Sequence, residues 1–227
     1  MNQLTSVFIS LVAFQIGIII YKKTKITLLN PLLVGIILVI CTLIFFDIPL
    51  SEYTKDTKII TFFLGPATVV LAVPLYNQIA LLKKNIIPIL AGITIGSASA
   101  ILSVIFLSKM VNLDRDILIS ILPKSITTAI GIEISKTLNG DTALTIVAIV
   151  ATGIVGASIG PIICKWGKIE NSIAKGIAIG TASHAVGTSK AIELGEVEGA
   201  MSGLAIGIAG IVTVFLIQLF FFLEIIV

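Results

Sequence analysis

Lysine, glutamate and several hydroxyl side chains cluster in one short stretch of an otherwise apolar chain, LPKSITTAIGIEISK at 122–136. If its apolar flanks lie in lipid, a charged side chain there costs about 2.5–3.5 kcal/mol and requires a partner, water or a ligand. The alternative is a segment near the membrane surface, where a long lysine reaches the headgroups. The number of hydroxyls favours a polar binding surface, for which the predicted ligand contacts are Lys124, Ser125, Thr127 and Thr128.

A second cluster, GTASHAVGTSKA at 180–191, contains the only histidine of the chain, His184. Small residues let another backbone approach closely, and exposed amides beside hydroxyls suit a carboxylate or another small anion. A lone histidine is more often structural, but its position among glycines and hydroxyls favours a substrate or proton role. The predicted contacts are Thr181, Ser183, His184, Gly187 and Thr188, whereas Glu193, Glu196 and Glu198 are expected to form a solvated end.

The third cluster is FLGPATVVLAVPLY at 63–76, where Gly65 and Pro66 interrupt the helical pattern and Pro74 does so again. Proline removes a backbone donor and frees a carbonyl, which either accepts from a hydroxyl such as Thr68 or faces a cavity. A kinked packing helix explains the same residues, since Pro and Gly are common in membrane spans. Gly65, Pro66 and Thr68 complete the set of predicted substrate contacts.

Three residues of these clusters are candidates for coupling or for ion pairs. Glu133 either pairs with Lys124, carries a proton or faces water at the end of its segment. The other candidates are His184 and Lys190 in the second cluster.

Several kinds of chemistry have no support in the sequence. No group of His, Cys or carboxylate residues has the spacing of metal ligands, and no G-x-S-x-G or second histidine supports a hydrolase triad. Walker, kinase and dinucleotide-binding motifs are also absent. The sequence therefore predicts no enzyme, no cofactor and no metal, and a net charge of +3 located in loops gives no reason to expect nucleic acid.

The composition predicts the elements that must hold these residues. The chain has 227 residues, of which 57% are hydrophobic and 12% are charged, whereas a soluble domain has roughly 25% charged residues. Continuous apolar runs of about 20 residues predict membrane-spanning helices, while a β-barrel would show alternating segments of about 10 residues. We therefore expect an all-α, polytopic membrane protein with about six to eight transmembrane segments.

The apolar runs divide into two kinds. Ordinary spans are predicted at 4–21, 28–46, 86–108, 142–164 and 199–227, and broken or re-entrant segments at 59–82, 117–138 and 172–195. The first span resembles a signal peptide, but its basic residues follow the apolar run, so we expect it to be retained. Cys41 and Cys164 lie in or beside apolar runs, which predicts lipid-facing or core positions and no disulfide framework.

Loop charge predicts the orientation of these segments. The basic loops 21–25 and 81–85 belong in the cytoplasm by the positive-inside rule, which leaves the N-terminus outside. The basic loop 165–175 is also cytoplasmic only if 117–138 enters and leaves on the same side, so a re-entrant hairpin is expected there. Whether 172–195 crosses or re-enters stays open.

The broken segments also suggest a domain organisation. Residues 63–78 align with 121–136 without gaps, which favours an inverted repeat of the kind that places a transporter's substrate at its helix breaks. We assign 1–58, whose helices lack breaks, to a scaffold or dimer contact, and 59–227 to a transport-type domain.

Together, the motifs FLGPATVVLAVPLY (63–76), LPKSITTAIGIEIS (122–135) and GTASHAVGTSKA (180–191) make the chain similar to the LrgB/CidB family of bacterial membrane proteins. The resemblance covers nearly the whole chain, because length and motif order match as well. One departure is Ala129, where relatives often carry proline, so the backbone break there is less forced. The resemblance implies a multi-pass protein of the bacterial cytoplasmic membrane.

The resemblance implies two different functions. Members are named antiholin-like or holin-like modulators of murein hydrolase activity and autolysis, and they are typically encoded beside a smaller LrgA/CidA-type membrane protein. Related pairs resemble carriers of small hydroxy- and oxo-acids, and a plastid relative carries glycolate and glycerate. We therefore expect an alternating-access carrier for pyruvate, glycolate, glycerate or lactate, with an LrgA/CidA-type partner and as a homodimer. The alternative is an antiholin-like regulator of autolysis without transport, whereas a passive channel lacks a ring-forming charged set.

Overall fold

The fold is described by a computed structural model that covers residues 2–24, 26, 29–63, 66, 69–70 and 72–226. Within these residues the regular structure is helical and no strand occurs, as the sequence predicts. The chain divides into two compact units, Met1–Leu71 and Ala72–Val227. This boundary lies later than the functional division expected at 58/59, which stays a prediction.

The first unit contains helices α1 (Gln3–Thr24), α2 (Pro31–Phe45), α3 (Leu50–Asp56) and α4 (Lys58–Phe62). The side chain of Asn30 accepts a hydrogen bond from the backbone of Leu32, and Pro31 is the first helical residue, so the start of α2 is well capped. A Cβ built on Gly17 would lie 2.6 Å from the Pro31 carbonyl oxygen, so α1 and α2 approach closely only because position 17 has no side chain.

The second unit contains helices α5 (Ala72–Asn77), α6 (Ile79–Lys84), α7 (Ile86–Met110), α8 (Arg115–Ile121), α9 (Thr128–Thr137), α10 (Thr142–Trp166), α11 (Ser172–Leu194) and α12 (Glu196–Phe222). In the described part of the chain, four helices are long and apolar enough to cross a membrane, namely α1, α7, α10 and α12. Helix α2 is apolar but shorter. These helices confirm the multi-pass membrane protein that the composition predicts.

Helices α8 and α9 form a hairpin, which we call hairpin A (115–137), with its tip at 122–127. Its two arms meet at their open end, where the hydroxyl oxygen of Thr145 on α10 lies 2.8 Å from both the Ser120 carbonyl and the Ser135 hydroxyl. The Ser120 hydroxyl also accepts from the backbone N–H of Asp141 at 2.7 Å. The segment therefore turns back on itself, whereas its entry and exit on the same side of the membrane stay a prediction.

Helix α11 is a second hairpin, hairpin B (172–194), because the helical conformation breaks at His184, where φ is 43° and ψ is −137°. A Cβ built on Gly187 would lie 3.0 Å from the Ile179 carbonyl oxygen, although eight residues of continuous helix would separate these positions by about 12 Å. Both arms also reach Ser202 of α12: a Cβ built on Gly180 would lie 2.8 Å from its Cα, and the Thr188 hydroxyl lies 2.7 Å from its Oγ. The arms 172–183 and 185–194 therefore lie side by side.

The two hairpins approach from opposite ends of α10. Hairpin A is held at Thr145 near the start of α10, and Gly131 of its second arm meets the Ile149 side chain. Hairpin B comes from the other end, since Ile179 lies against Gly160 and the His184 ring lies against Gly153. Their tips converge near the middle of α10. An inverted repeat would produce this arrangement, although the repeat itself stays a prediction.

Two apolar clusters hold the hairpins on α7 and α12. Hairpin A packs its Leu118 and Leu122 against the C-terminal halves of α7 and α12, in a cluster with Val104, Ile217 and Phe220. The first arm of hairpin B packs Ile177 in a second cluster around the N-terminal halves of the same helices, composed of Ile89, Ile93, Ile177, Ala200, Met201, Ala205 and Ala209. Each hairpin is therefore anchored by burial of apolar side chains at its own end of α7 and α12.

Candidate functional site

A cavity of about 880 Å³ lies inside the second unit, between α7, the first arm of hairpin B and the tip of hairpin A. Its lining is formed by Asn85, Pro88, Ile89, Gly92, Ile95, Gly96, Ser99, Ala100, Ser103, Lys124, Ser125, Asn171, Ile173, Ala174, Ile177, Ala178, Thr181 and Ala182. The tips of the two hairpins therefore contribute to one cavity, through residues 124–125 and 181–182.

Lys124 is the only charged side chain among the described residues that line this cavity. Its Nζ lies 3.4 Å from the Ser125 hydroxyl, and no described carboxylate forms a salt bridge with it. A half-buried ammonium group without a counter-ion is costly unless water or an anion compensates it. The position of Lys124 therefore suits an anionic ligand in the cavity.

Thr181 lines the same cavity and carries a hydroxyl group without a described hydrogen-bond partner. Its side chain is only 5% exposed, and its hydroxyl is buried without a hydrogen-bond partner in the described structure. A buried hydroxyl without a partner costs roughly 1–3 kcal/mol, which a ligand oxygen would recover. Lys124, Ser125 and Thr181 together provide an ammonium group and two hydroxyls, which are suitable donors for a carboxylate.

The local fold of hairpin A determines why Lys124 faces the cavity. Leu122, Pro123 and Ile126 are buried on either side of it and anchor the tip in the protein. Backbone N–H groups of Lys124 and Ile126 donate to the carbonyls of Ile121 and Pro123 at 3.2 and 3.3 Å, which closes the turn. The apolar anchors occupy the interior side of the turn, so the ammonium group lies on the cavity side.

The tip of hairpin B uses its polar groups differently. His184 is buried, and its Nε2 donates to the Ile149 carbonyl of α10 at 2.9 Å. The Thr188 hydroxyl lies 2.9 Å from the His184 carbonyl and 2.7 Å from the Ser202 hydroxyl. Ser183 packs against Gly156, where a Cβ would lie 2.6 Å from that of Ser183. These side chains contact α10 and α12, and none of them lines the cavity.

The remaining predicted contacts lie away from the cavity or outside the described residues. Thr127 and Thr128 are half-buried at the start of α9 and do not line it. Gly187 is buried between the arms of hairpin B. Pro66 is exposed in the first unit, whereas Gly65 and Thr68 lie outside the described residues. The predicted substrate roles of these residues stay predictions.

The charged candidates pair within their own helices. Glu133 forms an exposed ion pair with Lys136 at 3.0 Å, and the structure does not pair it with Lys124. Lys190 pairs with Glu193 at 2.7 Å. Glu198, which the sequence assigns to a solvated end, is instead buried, because α12 begins against the open end of hairpin B at Gly176.

Sequence reasoning missed the contribution of α7, which it treated as an ordinary span. Gly92, Gly96, Ser99 and Ser103 line the cavity, and Gly96 leaves room for Thr181, whose Cγ2 would lie 3.0 Å from a built Cβ. Spacings of three and four residues place these small side chains on one face of the helix. This stripe, within GITIGSASAILS at 92–103, is the sequence signal that could have located the wall.

Comparison with known proteins gives a consistent family assignment. The model of the LrgB-like family matches residues 10–223. Proteins named antiholin-like protein LrgB from Bacillus cereus and Bacillus anthracis are each 38% identical over 215 residues, which is 94% of this chain and 94% of each relative. No solved structure matches the chain.

Proposed function

Because the chain belongs to the LrgB-like family, as its motifs predict, we propose that it is a membrane carrier for small monocarboxylates of the pyruvate, glycolate, glycerate or lactate type. The observation that supports this function is one cavity lined by Lys124, Ser125 and Thr181. Among the described residues, Lys124 has no carboxylate partner and the Thr181 hydroxyl has no hydrogen-bond partner. A single cation with two hydroxyls matches one carboxylate and an adjacent hydroxyl or oxo group.

The arrangement of the hairpins supports transport by alternating access. Broken helices that meet near the middle of the membrane place irregular backbone where a water-filled cavity satisfies it. The cavity extends to Asn85 and Asn171, which lie in the basic loops that the positive-inside rule assigns to the cytoplasm. In this proposal the structure represents an inward-facing state, and closure around a bound carboxylate precedes opening on the other side. An LrgA/CidA-type partner and a homodimer are part of the same proposal.

Uptake into proteoliposomes tests the carrier function directly. Protein reconstituted alone, and with an LrgA/CidA-type partner, is expected to take up radiolabelled pyruvate, glycolate or lactate with saturation. Lys124→Ala is expected to lower uptake at least about 100-fold, because it removes the only charge from the described cavity wall. Lys136→Ala, which removes an exposed cation from the same hairpin, is the matched control. Absence of saturable uptake for all these acids under both conditions would contradict the proposal.

A second candidate function is an antiholin-like regulator that controls autolysis without transport. The printed name of the similar Bacillus proteins favours it. Such a regulator requires interfaces with other membrane proteins and no ligand in its cavity. Full control of autolysis by a Lys124→Ala protein that no longer takes up any acid would favour this second function.

A further inference from the structure

Helix α7 and the first arm of hairpin B lie side by side along the cavity, and two contacts show which of their residues lie at the same level. A Cβ built on Gly96 lies 3.0 Å from Thr181, and a Cβ built on Gly92 lies 3.8 Å from Ile177. The two contacts are separated by four residues, about 6 Å, on each helix. The helices therefore run parallel here, and the residues of α7 up to about 98 lie level with the residues 85 positions later, on the first arm of hairpin B.

This register separates the cavity into three zones along its length. Asn85 and Asn171 lie at the outer end, and Thr181 marks the level of the polar inner end. The section between them is apolar and is formed by Pro88, Ile89, Gly92, Ile173, Ala174 and Ile177. From Asn171 to Thr181 the helical rise is about 15 Å, and the apolar residues 173–177 between them span about 6 Å, just over one helical turn.

A three-carbon acid fills only a small part of this space. Such an acid occupies on the order of 100 Å³, a few water volumes, whereas the cavity has about 880 Å³. With its carboxylate at Lys124 and Thr181, the acid would leave the apolar zone in contact with water. Apolar surface that remains wet in a binding cavity favours a ligand that covers it.

We infer that the preferred ligands are monocarboxylates with a branched or aromatic apolar tail, which extends from the polar inner end along Ile177 and Ile89 towards the outer end. This inference rests on the proposed carrier function and names the substrate class of its site. A monocarboxylate fits because Lys124 is the only described cation in the lining. A second carboxylate would have to lie in the apolar zone, where no described charged group compensates it.

Competition in proteoliposomes tests the tail. The experiment measures inhibition of radiolabelled pyruvate uptake by 4-methyl-2-oxopentanoate, by phenylpyruvate and by unlabelled pyruvate. Each additional methylene in an apolar pocket improves binding by about tenfold or more, so the tailed acids are expected to inhibit at concentrations at least about tenfold below that of pyruvate. Radiolabelled 4-methyl-2-oxopentanoate is also offered directly and is expected to accumulate.

The outcomes distinguish the inference from the function on which it rests. Saturable pyruvate uptake, with tailed acids that inhibit no better than pyruvate, overturns the inference and leaves the carrier function intact. Saturable pyruvate uptake that the tailed acids inhibit at concentrations at least about tenfold lower supports both. Uptake of the tailed acid without uptake of pyruvate, glycolate or lactate supports the apolar tail and overturns the proposed carrier of small acids. Uptake of neither acid overturns both.

A variant that fills the apolar zone tests whether the tail of the ligand binds there. Gly92→Leu places a side chain beside Ile177 and is expected to weaken inhibition by the tailed acids at least about tenfold more than inhibition by unlabelled pyruvate. Gly207→Leu on α12 is the matched control, because nothing lies within 4 Å of a Cβ built there. Ala174→Leu is a second filling variant if Gly92→Leu fails to fold, since Ala174 is exposed to the cavity. A preference unchanged in a folded filling variant overturns the assigned position of the tail.

Discussion

The tips of the two hairpins contain similar residues but use them in opposite ways. At the tip of hairpin A, Lys124 lines the cavity, and its ammonium group lies 3.4 Å from the Ser125 hydroxyl without a salt bridge to a described carboxylate. At the tip of hairpin B, the His184 imidazole and the Thr188 hydroxyl have partners on α10 and α12. Thr181 is the exception on hairpin B, because the residue lines the cavity and its buried hydroxyl has no partner among the described residues.

The comparison teaches that polar residues at a helix break have two separate uses. Some form hydrogen bonds with the backbone and with neighbouring helices, which stabilises a hairpin tip inside an apolar protein. Others line a cavity without a hydrogen-bond partner, where a bound ligand can supply the missing hydrogen bond. The residues without partners identify the candidate site. The hydrogen-bonded residues fix the hairpin tips and therefore determine the position of that site.

The largest expected effect is a difference in labelling between the two hairpins, which are proposed to enter the membrane from opposite sides. Single cysteines at Asp116 and Asn139, the exposed ends of hairpin A, are expected to react with an impermeant maleimide from one side. Cysteines at Asn171 and Glu193, the ends of hairpin B, are expected to react only from the other side. Labelling before and after permeabilisation measures this in a protein carrying Cys41→Ser and Cys164→Ala.

A result with Asp116 and Asn139 on different sides would show that hairpin A crosses the membrane. The two tips would then no longer be comparable. If Asn171 and Glu193 were labelled on different sides, hairpin B would be the segment that crosses.

The next effect tests how tightly each tip is packed. Gly156→Ala would place a Cβ 2.6 Å from that of Ser183, which cannot move without the backbone of hairpin B. We expect a loss of about 3 kcal/mol in the free energy of unfolding in detergent, because overpacking forces the tip away from α10. In Gly131→Ala on hairpin A, the one close contact of the built Cβ within the described structure is the end of the flexible Ile149 side chain, at 2.5 Å, so this variant is expected to cost far less. Gly160→Ala, with its nearest contact at 3.5 Å, is the control.

Substitutions of His184 are expected to have a smaller effect on stability, and glycine is expected to be tolerated better than alanine at this position. His184→Ala is expected to lower the free energy of unfolding by about 2 kcal/mol, because it removes the hydrogen bond to the Ile149 carbonyl and leaves a cavity. His184→Gly is expected to be more stable than His184→Ala by about 1 kcal/mol, since a φ of 43° strains alanine and suits glycine.

Uptake measurements on the same proteins separate anchoring from the predicted substrate or proton role. If His184 anchors the tip, the folded fraction of each variant keeps the half-saturation concentration and pH profile of pyruvate uptake. If His184 binds substrate or carries a proton, both quantities change even where folding is retained. Lys124→Gln is expected to show the reverse pattern, with stability kept and uptake lost.

Sequence predicted the breaks within 117–138 and 172–195, because polar residues cluster there with proline or glycine inside apolar runs. The break predicted at Gly65 lies outside the described residues. Sequence predicted a single substrate surface that includes the cavity residues Lys124, Ser125 and Thr181 and also Ser183, His184 and Thr188. Residue types alone do not show which of these side chains have partners within the protein. The partners of the second set lie on α10 and α12, far away in sequence. The wall of α7 was missed because Gly92, Gly96 and Ser99 also suit an ordinary helix contact.

The smallest effect compares two threonines of hairpin B that differ only in their partners. Thr181→Val removes a buried hydroxyl without a partner and is expected to raise the free energy of unfolding by about 1 kcal/mol while weakening pyruvate uptake. Thr188→Val leaves the Ser202 hydroxyl without its partner and is expected to lower the free energy of unfolding by about 1–2 kcal/mol. Thermal or denaturant unfolding in detergent, measured beside half-saturation for uptake, checks both signs. Equal losses of stability in the two variants would mean that Thr181 has a structural partner too, and the distinction between ligand-facing and anchoring hydroxyls on hairpin B would fail.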